Sequence, residues 1–521
     1  MVLMGLNGPV DTPEDDPRAL ATGRIGVASV SFFGLAAAAP VVTLITLVPV
    51  SLAAGSGPLV PLSFAALAVL LVLFCGGYAA MIRRLPSAGA AYTHVARGLG
   101  RPAGLAAAWL ALAGYQAIQF GLYALAGAAA TPLARSWFAT AGAEWTVPWW
   151  AGAAACWALV ALLGTMRIEV AAGVAGLLAV AEAAVLVGVG ASNLLAPAGG
   201  RITAESIRVD AATIDRPVLG LLLAAGVLAF AGFESAGVYA EEALRPRRTA
   251  GFGAYGAVVL IALLLGGLSW SMIVAAGPDR ITAVAGARGG DLLFALAGER
   301  LLPWAVTTAR VILVVGVLAG VLALHHAMAR HLHAMGREGV LPSVLAGAGR
   351  RTGAPRAASL TQTLAVGAAL AGAYAAGADP GPVTARWMIL GGALSILLLL
   401  LVTALAALLH LNRAPGGESA WGRFVSPLLS TVSLGSLVYL AFRDLPEILG
   451  LPAGYPLVRA VPAAIGGCVV LGLAHAALVR WRWPERYAGI GLCGTAVVVT
   501  PYPKIPEQRT PGAHRPERVE F

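Results

Sequence analysis

The chain has 521 residues, 59% of them hydrophobic and only 12% charged, with a formal net charge of +10. Apolar runs recur along almost its whole length, which excludes a soluble globule and marks a polytopic membrane protein. The positive charge lies mostly in arginines beside those runs, where it fixes loops on one side of a membrane rather than binding nucleic acid.

Residues 1–23 are rich in Pro, Asp and Gly, with Glu14, Asp15 and Asp16 together and no basic segment ahead of an apolar core. They read as a disordered cytoplasmic tail, not a cleaved signal. A transmembrane domain follows over 24–481. Its first span, about 26–52, has Pro40 in the middle and Pro49 near the end. Proline removes a helix hydrogen bond, so Pro40 marks a break and starts a new half-helix. Gly55-Ser56-Gly57 comes after about 20 residues have crossed, and reads as an exit turn.

Span two, about 59–82, ends at Arg83 and Arg84, and with Arg97 and Arg101 these place the next loop in the cytoplasm. Span three, about 103–130, carries Tyr115, Gln119 and Tyr123 on one face, beside Gln116. Such a polar stripe either bonds a neighbouring helix or lines a ligand path. Span four, about 148–163, opens with Trp149 and Trp150, which suit a membrane interface. Span five, 168–195, holds Glu182 near its centre, either a proton or cation site or a partner for an interhelical hydrogen bond.

Span six, Pro217 to Glu242, carries Gly232 and Glu234 in mid-span. An ionised carboxylate at that depth costs several kcal/mol or more, and glycine is a poor helix former. Two readings follow: an unwound hinge over Phe230 to Ser235 lining a polar cavity, or an intact helix whose Glu234 pairs with a neighbouring span. Spans seven (about 254–276) and eight (about 302–329) come next, then Arg330, Arg337, Arg350, Arg351 and Arg356. Spans nine to twelve fall near 357–375, 387–411, 425–442 and 458–481, and the polar, Pro-rich stretch 482–521 reads as a loose cytoplasmic tail.

Twelve spans put both termini on one side, and the arginine bias makes that side the cytoplasm of a cell membrane. The two broken spans are the first and the sixth, five apart. Corresponding breaks point to an inverted-repeat transporter with its site at the membrane midplane, and favour the hinge reading of span six. Repeat one covers about 24–195, repeat two about 216–411, and two extra helices about 425–481.

Three stretches occur in order: Arg84-Leu-Pro-Ser-Ala-Gly-Ala-Ala-Tyr92 with Gly100, Phe230-Ala-Gly-Phe-Glu-Ser235 with Tyr-Ala-Glu-Glu242 and Arg-Pro246, and Ala329-Arg-His-Leu-His-Ala-Met-Gly-Arg-Glu-Gly-Val-Leu-Pro342. Together they resemble the amino acid-polyamine-organocation (APC) permeases, of the amino acid permease type. The resemblance implies an all-α polytopic fold of about twelve transmembrane helices, with two inverted five-helix repeats (LeuT-like) and two C-terminal helices. It also implies a substrate bound at the breaks of spans one and six. Span one departs from the family in showing Ala36-Ala-Ala-Ala-Pro40 where a Gly-rich break is usual.

Helix ends supply the expected chemistry. After Ala39, the half-helix from Pro40 would offer backbone N–H groups at Val41 and Val42, and a positive dipole end, to a carboxylate. The first half of span six would end in carbonyls near Leu228 and Ala229 that suit an ammonium, with Phe230 and Phe233 closing over the side chain or stacking on a cation. Gly232, Glu234, Ser235, Tyr115 and Gln119 complete the expected substrate site, and Glu182 and Glu234 are the candidate proton carriers. The expected substrate is an amino acid, carried in symport with protons or by exchange. A polyamine or other organic cation is the alternative, and a non-transporting membrane sensor the remoter one.

No enzyme is expected, because no nucleophile elbow, phosphate loop or HExxH occurs. No cofactor or metal is expected either. Cys75, Cys156, Cys468 and Cys493 lack CxxC or ligand spacing, and His325, His326, His331 and His333 read as histidines at a helix end on the membrane surface. Arg310, in the outer part of span eight, is expected to snorkel or pair with an acid of the preceding loop.

Overall fold

A computed structural model describes residues 18–140, 147–209, 215–349, 351–377 and 382–492. Most of the expected N-terminal tail and the tail beyond 492 lie outside the described residues. Among those described, the regular elements are helices, joined by one isolated bridge between Ile25 and Ala243.

Among the described residues, eleven segments are long and apolar enough to cross a membrane. One of them, Ile281–Gly298, divides at Gly289 (φ 51°) into the short helices Ile281–Arg288 and Leu292–Gly298. Eight residues rise only about 12 Å, too little for a ~30 Å hydrocarbon layer. This pair instead packs on the last part of span one, close to the Ile45 carbonyl. Two further apolar helices, Trp149–Gly164 and Arg356–Ala375, bring the spans to twelve. The others are Val27–Ala53, Leu59–Arg84, Arg101–Thr140, Ile168–Leu195, Arg216–Tyr239, Thr249–Ala276, Pro303–Arg337, Pro382–Arg413, Ser426–Arg443 and Pro456–Arg482.

Burial sorts these spans into a centre and a rim. In their most apolar 18-residue stretches 83, 78 and 72% of the residues of spans one, six and eight are buried, against 11% in span twelve, which lies at the rim with one side on span three. In a bilayer an exposed apolar side chain is already solvated, so the exposed Val69 of span two and Leu263 of span seven mark lipid-facing stripes.

The central spans are the interrupted ones. Span one runs as Val27–Ala38, then Ala39 takes left-handed angles (φ 44°, ψ 61°) and Pro40 opens Pro40–Thr46. The proline ring cannot follow a continuous helix past the Ala36 carbonyl, and the Ala39 N–H bonds that carbonyl at 2.9 Å instead. A left-handed alanine costs about 1–2 kcal/mol, which the surrounding packing must offset. A further short helix, Val48–Ala53, carries Pro49 near its start.

Span six begins with Asp215 accepting from the Val218 N–H at 2.9 Å, an N-cap, and runs helically from Arg216 to Phe230. Ala231 is extended, Gly232 has φ 112°, and Phe233–Tyr239 continues as a tighter 3₁₀ turn. Glycine is required here twice over. The angle belongs to glycine, and a Cβ would stand 2.9 Å from the Ala37 carbonyl carbon and oxygen. The two interruptions therefore touch, backbone against backbone.

Two stretches differ from expectation. Span eight continues to Arg337 rather than stopping near 329, because its last two turns pack against span three, span nine and the turn Ser343–Ala346. His325, His326, His331 and His333 are therefore buried between helices, not on the membrane surface. The first residues of the tail expected to be loose from 482 also fold. Pro484–Gly489 is a short helix held by Arg101 Nη2 donating to the Ala488 carbonyl (2.9 Å), and the Gly491 N–H bonds Glu338 Oε2 (3.0 Å).

Candidate functional site

Glu234 sits inside the break of span six and is 3% exposed. Its carboxylate accepts from Tyr115 Oη of span three at 2.5 Å and from the Gly232 N–H at 3.0 Å, while Tyr78 Oη of span two donates to its backbone carbonyl at 2.7 Å. Unwinding frees the Gly232 N–H and the Glu234 carbonyl from helix pairing, and these side chains satisfy them.

Glu182 of span five, 2% exposed, reaches the break of span one, where Oε1 accepts the Val41 N–H at 3.3 Å. On its other side is Gly316 of span eight, where any Cβ would lie within 2.6–2.9 Å of the carboxyl atoms. Gly316 makes the room that Glu182 occupies. Among the described residues neither Glu182 nor Glu234 pairs with Arg, Lys or His. Two carboxyl groups from different spans thus flank the touching interruptions without a built-in countercharge.

The remaining expected residues divide. Pro40 has no N–H, the Val42 N–H bonds the Ala39 carbonyl at 2.9 Å, and Val41 is engaged by Glu182. The Leu228 carbonyl accepts a turn bond from Ala231 at 3.3 Å; Ala229 and Phe230 are buried in the last turn of the half-helix. Phe233 is buried and packs edge-on to Phe74 of span two with centroids 5.9 Å apart. Among the described residues, Ser235 Oγ is buried without a hydrogen-bond partner, and so is Thr43 Oγ1 in the second half of span one. Gln119 binds span eight and span nine instead, donating to the Val321 carbonyl at 3.2 Å and accepting from Gln362 at 2.5 Å. Both Gln119 and Tyr115 thus bond neighbouring spans, Gln119 to spans eight and nine and Tyr115 to Glu234 in the break of span six.

Tyr78, Gly316 and Thr43 were not singled out from the sequence. Tyr78 and Gly316 carry no signal of their own, since their role depends on carboxylates of other spans. Thr43, three residues after the helix-starting Pro40, is the one that spacing marks.

At the arginine-rich end the three motif stretches meet. Arg330, 1% exposed on its side chain, forms a two-pronged pair with Glu242, with Nη2 to Oε1 at 2.9 Å, and also donates to the His326 carbonyl at 3.0 Å. Arg337 holds Glu241 with bonds of 2.6 and 2.8 Å, and Glu241 in turn accepts the Ala88 N–H at 2.8 Å. Tyr92 donates to Glu338. The loop after span two, the end of span six and the end of span eight are thereby locked together. At the far end Arg310 pairs with Asp291 at 2.6 Å and lies over the Phe294 ring, as its position suggested.

No curated protein matches the chain. The family model described as amino acid permease matches residues 26–468, from just before span one into span twelve, and so includes both interruptions, both carboxylates and all three motif stretches. The chain is a multi-pass membrane protein and belongs to the amino acid permease family of the APC superfamily, a family of transporters.

Proposed function

We propose that the protein is a secondary active transporter that moves amino acids across the cell membrane by alternating access, with both termini cytoplasmic. Spans one to five and six to ten act as inverted repeats, with the substrate at the junction of their first helices. The observation that carries this reading is the contact of the two interruptions, Ala37 against Gly232, with Glu182 and Glu234 buried on either side. Broken helices that line a cavity are how a membrane protein presents backbone polar groups to a substrate.

In this reading the substrate ammonium is met by carbonyls at the end of Leu228–Phe230 and by Glu234, and its carboxylate by the Val41 N–H. Thr43 and Ser235 supply hydroxyls. Substrate entry displaces Glu182 from Val41, and Glu182 takes up a proton as it leaves its hydrogen bond, which couples binding to proton movement. Exchange of one substrate for another is the rival coupling. The test is uptake of a panel of labelled amino acids into proteoliposomes, with and without an inward proton gradient. Accumulation that follows the proton gradient supports the reading. Accumulation that requires sodium and ignores pH overturns the coupling, and folded protein with no flux of any amino acid overturns the function.

One observation favours a second reading, transport of a polyamine or other organic cation. Glu182 already fills the one N–H that the span-one half-helix offers, so the site holds a carboxylate of its own. Competition between lysine and its decarboxylated diamine separates the two. If the helix end binds substrate, losing the carboxylate costs on the order of 2 kcal/mol. Equal competition assigns the site to amines.

A further inference from the structure

The seam between span two (Leu59–Arg84) and span seven (Thr249–Ala276) opens at the arginine-rich end into a cavity of about 630 Å³, lined by Ala79, Arg83, Arg247, Arg248, Phe252 and Tyr255. It is separate from the central site and takes no part in the locking pairs. Three features distinguish it. First, its three arginines are exposed and none forms an ion pair among the described residues, whereas nearby Arg84, Arg330 and Arg337 each hold a glutamate. Second, the 28-residue helix of span seven starts here, with Arg248 at its N-cap and no side chain capping it, so its positive dipole end adds to the three guanidinium charges. Third, the cavity continues into an apolar, lipid-facing stripe. Phe252, Val259 and Leu263 are 59, 45 and 68% exposed along one side of span seven. From Phe252 to Leu263 the helix rises about 16 Å, close to half of a ~30 Å hydrocarbon layer and so the depth of one leaflet.

We propose that this cavity binds the headgroup of an anionic phospholipid. Arg83, Arg247 and Arg248 take the phosphate, Phe252 and Tyr255 sit at the level of the glycerol, and the acyl chains lie along the stripe. Arginine presents a fork of donors that matches phosphate oxygens, and amphipathic or aromatic rings suit that depth. A soluble anion would use the arginines and leave the apolar stripe without an occupant. The proposal does not depend on what the central site carries.

The test is native mass spectrometry of the full chain in detergent, titrated with phosphatidylglycerol, with phosphatidylcholine in parallel. One variant carries Arg83→Gln, Arg247→Gln and Arg248→Gln; a control of equal charge loss carries Arg245→Gln, Arg423→Gln and Arg482→Gln, which lie outside the cavity. At about 1 kcal/mol per arginine, the site variant should need on the order of a hundredfold more phosphatidylglycerol for the first bound lipid, and the control less than about threefold more. Should the triple variant fail to fold, Arg83→Gln alone should show about a fivefold loss. Equal losses in the two triple variants, or equal binding of phosphatidylcholine by the native chain, overturn the proposal. Displacement of the lipid by millimolar inorganic phosphate overturns it in favour of a soluble anion.

Discussion

Replacing Gly232 by alanine tests whether the two interruptions touch. The added methyl group would meet the Ala37 carbonyl at 2.9 Å and the Ala37 Cβ at 3.0 Å, and the residue would have to hold φ 112°. Backbone strain of this kind costs about 1–3 kcal/mol, and overpacking against a backbone that cannot rotate away adds about 1–3 kcal/mol. Even the low end, about 2 kcal/mol, depopulates this arrangement roughly thirtyfold. Gly55→Ala is the control, since Gly55 also has positive φ (84°) but nothing within 4 Å of an added Cβ; it bears the strain without the clash. Initial uptake rates in proteoliposomes and thermal unfolding in detergent would both be measured. The expected result is loss of at least nine-tenths of uptake in Gly232→Ala, with Gly55→Ala close to native. Native uptake and an unchanged unfolding temperature in Gly232→Ala would refute the contact and the site built on it.

Glu182→Gln keeps an acceptor for the Val41 N–H but removes the ionisable group; uptake should persist in exchange mode while its response to a proton gradient disappears, as read by gradient-driven accumulation. Arg330→Ala strands the buried Glu242 carboxylate and should destabilise the fold by about 3–5 kcal/mol in thermal unfolding. The double variant Arg330→Met with Glu242→Gln should recover most of that loss. Glu418, in the loop before span eleven, is hydrogen-bonded by Arg84 and held down to about 2 from an ordinary 4.5. Its folded-state value is depressed, so the stabilisation is present above pH 4.5 and is lost as pH falls towards 2. Unfolding midpoints between pH 6 and 3 should therefore fall less steeply in Glu418→Gln than in the native chain.

Hydropathy placed the spans because bilayer thickness imposes a run length on every crossing helix, and it placed the breaks because Pro40 and Gly232 disrupt helices for local reasons. The left-handed angle at Ala39 has no signal in the sequence, since alanine does not favour it and only the packing around the break holds it. What the chain conceals is pairing between distant residues. An arginine reads as the end of an apolar run, yet Glu242, 88 positions away, lets Arg330 be buried and span eight run on to Arg337. His331 and His333 lie in the eight residues beyond 329, with His325 and His326 just before them, and the continued helix buries all four. Gln119 and Tyr115 share one face of span three, but one turn separates a structural amide from a group on Glu234, and only the neighbouring helices decide which is which.

The bridge at Ile25 has a mechanical consequence. Arg24 and Ile25 donate to the Glu242 carbonyl at 2.8 and 3.3 Å, and the Leu244 N–H returns to the Ile25 carbonyl at 2.9 Å. These bonds splice the start of the first helix to the end of the sixth, below the point where both are interrupted. In the alternating-access reading proposed above, the two lower halves move as one lever with two fulcrums, Ala39 and Gly232. In that reading, opening the arginine-rich end takes release of the guanidinium–carboxylate clasps of Arg330 and Arg337 while the splice stays closed. A covalent tether between positions 25 and 243 would ride with the lever and leave its swing unhindered.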